Sequence, residues 1–467
     1  NMDTGILKEC KEAFLNDILK KLSKEELKRV CVYDDVTTMN GAAGVKFCNA
    51  INRNTSVGAP FNKSKRQFLV PIECEPGQEW VEYSPEIQAR IDKVYEAYNN
   101  NKLFHPQFTA HLKDDPLSKK KAKAFKTRVF CGAEGAWAFV MRKYFLSIVE
   151  LIQRNKYIFE ACPGTSAQSA DWHWMYKFLT HFGLEWMVAG DFRLFDKSMQ
   201  ALILRCAFEI LIRLGQEAGF SDKDVHIMQG LMLDTIHAFV DFNGTLIQFL
   251  ALNPSGHPLT VIINGIVHSI YMRYCFVRLA RKHAPNVSVF DFQKYVHLLT
   301  YGDDGVMGID PSVKWFNHTS IQGELANIGV SYTMADKESE SRPFISMDEV
   351  TFLKRSWRWE PELERYVGPL EEESIGKSLL VWIAKKTTNP IERDLDTMRQ
   401  ALREYFFYGK EIFEAKRRMM SEIVSEHTEQ YGKQDMRRLL EVQPFPTWEE
   451  LVKTYWEGSK YIKPYVA

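Results

Sequence analysis

An α+β fold in two or three lobes is predicted by three features of this sequence. Short apolar runs read as strands at Trp186 to Gly190 and at the pair Val296 to Thr300 and Val306 to Ile309, and each leads into aspartates. Helical patterns surround these runs, and from Pro369 onward the chain turns helical in character. With 467 residues it also exceeds the roughly 250 to 300 at which one hydrophobic core usually splits.

Composition excludes several classes. A hydrophobic content of 45% and a charged content of 26% describe an ordinary globular protein, without the bias of a disordered one. Lys plus Arg equal Asp plus Glu at 60 each, so affinity for nucleic acid has to come from charge placement. Between Lys113 and Arg128, six Lys and one Arg stand against two Asp, a local net of +5. The eight cysteines, at 10, 31, 48, 74, 131, 162, 206 and 275, form no CxxC pair, which predicts free thiols and no structural zinc. The longest uncharged run, Phe242 to Met272, is broken by Asn253-Pro254-Ser255-Gly256-His257-Pro258. The fourteen residues left after Pro258 fall short of the ~18 that span a bilayer. The chain opens Asn1-Met2-Asp3 without a basic and apolar leader, the start expected of a processed product.

Along the chain, Leu7, Phe14, Leu15, Ile18 and Leu22 recur at helical spacing and predict a helix over Ile6 to Leu27. Thr55-Ser56-Val57-Gly58-Ala59-Pro60 is a stiff loop whose hydroxyls and amides suit a phosphate chain, although ordinary surface turns share its composition. Within the basic segment, Ala124 to Phe130 alternates so that a strand would send Lys126 and Arg128 to one face. Cations held on a strand can grip a triphosphate; a solvated basic loop is the plain alternative. Ala136 to Arg154 reads as an amphipathic helix, and Trp172, Trp174, Tyr176 and Phe178 as core packing. The strand ending at Gly190 runs into Asp191 and Asp196, with a helix over Leu202 to Leu214 behind them. A strand end fixes a carboxylate in place, although such an Asp is more often a cap. Ser255-Gly256 leads into an apolar helix on which Thr260 and Asn264, four apart, share a face and need partners from the core or from a ligand.

Tyr301-Gly302-Asp303-Asp304 sits at the tip of the predicted hairpin. Adjacent carboxylates repel and lose hydration there, and a divalent cation removes that cost. Mg²⁺ prefers a few carboxylate oxygens plus substrate phosphates, so the turn suits a nucleotide-processing metal site. A Gly-Asp turn that merely joins two strands is the bland alternative. Further on, Trp315 to Asn327 reads as a helix, Val330 to Met334 leads to Ala335-Asp336-Lys337, and Val350 to Trp357 is a candidate short strand pair. Asn389 with Pro390 makes a helix start, and Thr447 with Glu450 a capping box.

In this order, from Thr55 to about Trp357, the stretches resemble the RNA-dependent RNA polymerases of picorna-like positive-strand RNA viruses, with insect iflaviruses or dicistroviruses as expected relatives. Asp191-x4-Asp196 matches the family's first palm motif, Ser255-Gly256-x3-Thr260-x3-Asn264 the second and Tyr301 to Asp304 the third. Ala335-Asp336-Lys337 looks like the fourth and Phe352-Leu353-Lys354-Arg355 like the fifth. The resemblance implies a closed right hand: fingers over residues 1–180 and 215–250, a palm of small antiparallel sheet on helices over 181–214 and 251–357, and a helical thumb over 358–467. It implies two Mg²⁺ ions, with Mn²⁺ as a substitute, held by Asp191, Asp303 and Asp304, and it makes Lys337 the acid that protonates pyrophosphate. Lys113, Lys121, Lys126 and Arg128 then hold the NTP, together with Asp196, Ser255, Gly256, Thr260 and Asn264 around its ribose. Thr55, Ser56, Gly58, Pro60, Lys354 and Arg355 fall to template and primer. The implied partners are RNA template and primer, NTPs, a small protein primer and other viral replication proteins, and the implied location is the host cytoplasm at membrane-associated replication complexes. About fifty-four residues precede the Thr55 motif, fewer than the family usually has, so a shortened N-terminal strap is expected. His257-Pro258 stands where many relatives have small residues, which predicts a stiffer loop.

Two rivals remain. A reverse transcriptase shares the carboxylates and the YxDD hairpin, but would block the 2′-hydroxyl with a bulky aromatic rather than offer it Asp196 and Asn264. A non-catalytic RNA-binding protein would explain the basic segment and leave three separated carboxylates without a purpose.

Overall fold

A computed structural model describes residues 2–382, 389–431 and 434–466. The chain divides into two compact units, Asn1–Gly164 with Gly190–Pro343, and Thr165–Ala189 with Phe344–Ala467.

The first unit carries helices α1 (Thr4–Lys21), α2 (Gly135–Arg154), α3 (Ala201–Glu217), α4 (Thr260–His283) and α5 (His318–Ala326). Its strands are β1 (Gln107–Leu112), β2 (Val129–Gly132), the last residues of β3 (Met187–Phe192), β4 (Phe239–Phe242), β5 (Thr245–Gln248), β6 (Val296–Tyr301), β7 (Asp304–Ile309) and β8 (Tyr332–Met334). One four-stranded sheet runs β2-β1-β4-β5, with β1 and β4 parallel. The other runs β8-β3-β7-β6, and its register sets Asp191 opposite Thr333 and Tyr301 opposite Asp304. The strands β6 and β7 are buried along almost their whole length, which is why they read as apolar runs rather than as alternating ones.

Helix α4 lies at the centre of this unit. Eighteen of its residues are buried, and Arg281, Lys282 and His283 in its last turn complement the helix dipole. Among the described residues it alone is long and apolar enough to cross a membrane, but 89% of that apolar window is buried within the protein, as in the core helix of a large fold. Arg273 on α4 is fully buried, where its guanidinium holds Glu160 at 2.7 and 3.0 Å and Asp17 of α1 at 3.1 Å. The rings of Phe14 and Phe292 lie 4.0 and 4.4 Å from the guanidinium carbon. Glu160 in turn uses its backbone carbonyl to accept both the N–H and the hydroxyl of Thr300 in β6, each at 2.8 Å.

In the second unit the helix Asp171–Leu179 packs Trp172 against Trp357, the rings stacked at 4.6 Å. Each indole N–H of that pair donates to a backbone carbonyl, Trp172 to Ser356 and Trp357 to Trp172. The helices Pro390–Tyr405, Lys410–Tyr431 and Trp448–Ser459 enclose a core of Leu395, Leu402, Phe406, Phe413 and Trp448. Asn389 caps the first through Ile391 N, and Thr447 with Glu450 closes the capping box of the last.

Several expected elements shift. The N-terminal helix stops at Lys21, because Ser23 caps a second helix, Lys24–Lys28, and a capping residue has to leave helical geometry. The helix over 135–154 is buried on nearly every face rather than amphipathic. The helix expected from Trp315 starts at His318, where Asn317 and Ser320 form its capping box. Residues Val350 to Trp357 hold only a tight turn, with Phe352 and Arg355 exchanging both backbone bonds, and the strand pair follows at Arg358–Glu360 and Arg365–Val367. The strand expected over Ala124 to Phe130 begins only at Val129: Lys119–Lys123 form one helical turn capped by Ser118, and Phe125 takes a left-handed conformation (φ +51°).

Replacing Arg273 would leave Asp17 and Glu160 as uncompensated buried anions. Arg273→Ala is expected to lower stability to urea by about 3 to 5 kcal/mol at neutral pH. Burial already holds the Asp17 carboxyl above the usual range, against the pull of the guanidinium. With the folded Asp17 value raised, the deficit is complete above it and shrinks as pH falls toward the unfolded carboxylate value, where protonation discharges Asp17. A deficit independent of pH would refute the ionic origin.

Candidate active site

The tip of the β6–β7 hairpin is a two-residue loop, Gly302-Asp303, between the paired Tyr301 and Asp304. Gly302 has φ +65° and Asp303 does not leave the negative region, so glycine is needed at the first loop position, as in a type II′ turn. Beneath it the His268 ring, buried in α4, donates from Nδ1 to the Gly302 carbonyl at 3.3 Å. Burial pushes this imidazole down to about 4, so it is neutral. Asp303 is raised above the usual carboxylate range, first by lost hydration and then by the negative charge of Asp191 at the end of β3. Asp304, half-buried, starts β7. Lys337, in a left-handed conformation (φ +67°), places its ammonium 3.0 Å from Asp191 Oδ2. Asp336 before it folds back to accept the N–H groups of Glu338 and Ser339, which shapes that turn.

Beside the carboxylates runs a directed chain of hydrogen bonds. The backbone N–H of Leu259 can only donate, and it donates to His257 Nδ1 at 3.2 Å. The proton of this neutral ring is therefore on Nε2, which donates to Asn253 Oδ1 at 2.6 Å. Asn253 Nδ2 donates to Asn264 Oδ1 at 2.6 Å, and Asn264 Nδ2 to Asp196 Oδ1 at 2.8 Å. Asn253, His257 and Asn264 are all buried, and burial holds His257 down at about 3 and raises Asp196. Asp196 sits on its own short turn, Phe195–Ser198, after the left-handed Leu194. Thr260 spends its hydroxyl on the carbonyls of Pro254 and His257, at 2.7 and 3.0 Å, and so closes the loop. Ser255 Oγ accepts from Cys131 N at 3.0 Å, and a Cβ on Gly256 would come within 2.0 Å of the Cys131 carbonyl. The loop thus lies directly on β2.

The cations are placed differently from the strand expected for them. Arg128 clamps Asp115 through two nitrogens, with Lys113 3.9 Å from the same carboxylate, while Lys121 and Lys126 are exposed. The loop from Thr55 closes on itself: Ser56 Oγ accepts from Gly58 N and Thr55 Oγ1 from Lys65, while Pro60 is exposed. In the second unit, Lys354 reaches Glu371 at 2.8 Å and Arg355 takes both oxygens of Glu404 at 2.7 and 2.9 Å. Asn253 and His268 belong to no recognisable motif in the sequence, and His257 reads there only as a residue that stiffens its loop. The signal available was that isolated polar residues in a long uncharged run have to find partners.

Among the described residues no three His, Cys, Asp or Glu side chains gather closely enough to hold a metal ion by themselves. Asp191 and Asp303 nevertheless act on each other's charge, which a divalent cation would relieve. Their hard oxygens fit Mg²⁺, with water and substrate phosphates completing the shell.

The family model of viral RNA-dependent RNA polymerase matches residues 7–421. The replicase polyprotein of Drosophila C virus (strain EB) is 31% identical over 422 residues, 86% of this chain and 23% of the polyprotein. That of cricket paralysis virus is 28% identical over 429 residues, 88% of this chain and 24% of the polyprotein. The chain spans about a quarter of the length of these curated relatives. Among solved structures, the Sicinivirus 3Dpol RNA dependent RNA polymerase superposes with a TM-score of 0.72 over 96% of this chain and 85% of its own, at 16% identity. Its likeness establishes the fold, and the family model, matched over most of the sequence, establishes that the chain belongs to the viral RNA-dependent RNA polymerases.

Proposed function

We propose that this chain copies an RNA template by two-metal nucleotidyl transfer from NTPs. The observation that carries this reading is the pair Asp191 and Asp303, delivered by β3 and the β6–β7 hairpin, where burial first and then the charge of Asp191 raise the Asp303 carboxyl. In the transfer, the primer 3′-oxygen bonds to the α-phosphorus, and the bond from that phosphorus to the bridging oxygen breaks to release pyrophosphate. Two Mg²⁺ ions, when bound, would acidify the 3′-hydroxyl and offset charge on the leaving group. Asp191 and Asp303 would hold them, with Asp304 in support. Lys337, turned from Asp191, gives its Nζ proton to pyrophosphate. Arg128 exchanges Asp115 for the triphosphate, joined by Lys113, Lys121 and Lys126. Asp196 and Asn264 meet the ribose, beside the loop of Ser255, Gly256 and Thr260. Thr55, Ser56, Gly58, Pro60, Lys354 and Arg355 belong to template and primer handling.

The same reading assigns fingers to 1–180 and 215–250, palm to 181–214 and 251–357, and thumb to 358–467. It includes a small protein primer, other replication proteins as partners, and work at membrane-associated complexes in the host cytoplasm. Primer extension on poly(A) with oligo(U), comparing NTPs with dNTPs and with EDTA as control, tests it. Incorporation of dNTPs in preference to NTPs would favour a reverse transcriptase, and RNA binding without extension a non-catalytic role.

Asp303→Asn and Asp191→Ala are expected to abolish extension while leaving RNA binding near its parental level; parental extension by either refutes the metal assignment. Lys337→Met should slow single-turnover addition by about 10² to 10⁴, the usual worth of a general acid. An unchanged rate removes that role. Asn264→Ala and Asp196→Ala should lose kcat/KM for ATP far more than for dATP, because a dNTP never makes the lost hydrogen bonds. Equal losses would mean that the pair supports the fold and reads no sugar.

A further inference from the structure

The hydrogen-bond chain ending on Asp196 has one direction only. A carboxamide can flip and exchange donor for acceptor, so Asn264 alone does not determine which of its atoms faces Asp196. Here the choice is made three residues away from the sugar side. Leu259 N–H fixes the His257 tautomer, His257 Nε2–H fixes the oxygen of Asn253, and the Asn253 amide nitrogen, which also donates to the Thr260 carbonyl at 3.2 Å, claims the oxygen of Asn264. What remains for Asp196 is the Asn264 NH₂ group. Asn253 is fully buried, so no water competes for these positions.

We propose that His257 and Asn253 are positioning residues that set sugar selectivity, by locking the Asn264 amide with its NH₂ group toward Asp196. The inference rests on the ribose reading of Asp196 and Asn264 and extends it to two residues that touch no substrate. If Asn264 flipped, its oxygen would face the Asp196 carboxylate, and the pocket would lose the donor and the fixed acceptor that a ribose 2′-hydroxyl needs.

The test compares kcat/KM for ATP and dATP on one primer-template, so that each enzyme preparation is its own control for folding. Asn253→Asp keeps the shape and still accepts from His257, but sets an oxygen against Asn264 Oδ1. His257→Leu keeps bulk and removes the donor that fixes the Asn253 oxygen, leaving only the longer bond to the Thr260 carbonyl to orient that amide. Both are expected to reduce the ATP-to-dATP preference roughly 10-fold, the worth of a buried hydrogen bond misplaced. His257→Gln, whose amide nitrogen can reach the position of Nε2, should restore most of it. Long-range proton–nitrogen NMR of the parental protein should show His257 as the Nε2–H tautomer. Parental ratios for Asn253→Asp and His257→Leu, or an Nδ1–H tautomer, would overturn the proposal while Asn264→Ala still lost selectivity. If Asn264→Ala itself kept the parental ratio, the ribose reading would fall, and this inference with it.

Discussion

The buried contact between Arg273 and Glu160 is the constraint on which the rest of the first unit depends. A guanidinium without water has to be held in place, and its two terminal nitrogens are held by one residue from the segment after α2 and one from α1, while Nε is left without a partner among the described residues. Glu160 adopts a left-handed backbone (φ +56°), and that geometry lets its side chain reach Arg273 while its carbonyl takes Thr300. Glu160 therefore ties α4 to β6, and Arg273 adds α1 through Asp17. The hairpin that carries Asp303 is fixed from its edge by this carbonyl and from beneath by His268, so its tip is set by the core and not by the exposed loop alone.

The features legible in the sequence were those that local chemistry dictates. Apolar runs beside aspartates marked β3, β6 and β7, and the Gly-Asp pair between the last two marked a two-residue turn, because few sequences tolerate that geometry. Motif order gave the family, and the relatives from a fly and a cricket virus accord with the insect-virus expectation. Two kinds of feature were not legible. Alternation over Ala124 to Phe130 imitated a strand, although Ser118 and a run of lysines had already started a helical turn whose exit falls on Phe125. Long-range polar pairing was equally hidden: Asn253 and Asn264 are eleven positions apart, and only the fold brings their amides within 2.6 Å.

Two cations of the first unit are compensated internally. Lys337 rests on Asp191, and Arg128 rests on Asp115. Each pair leaves a cation beside the place where the proposed reaction needs one, already neutralised by a carboxylate. An incoming anion then exchanges partners with an existing ion pair, which costs less than desolvating a free charge and keeps an empty site from attracting anions indiscriminately.

The imidazole of His257 is commonly the group that makes a site answer to acidity, yet burial holds it near 3. Throughout the neutral range it neither gains a proton nor changes tautomer, so every donor in the chain to Asp196 keeps its direction. The hairpin tip is different, since Asp303 carries a raised carboxyl whose charge depends on its neighbours. Acidification therefore acts on the raised carboxyls, Asp303 at the hairpin tip and Asp196 at the end of the relay, while the links from His257 through Asn253 to Asn264 keep their direction.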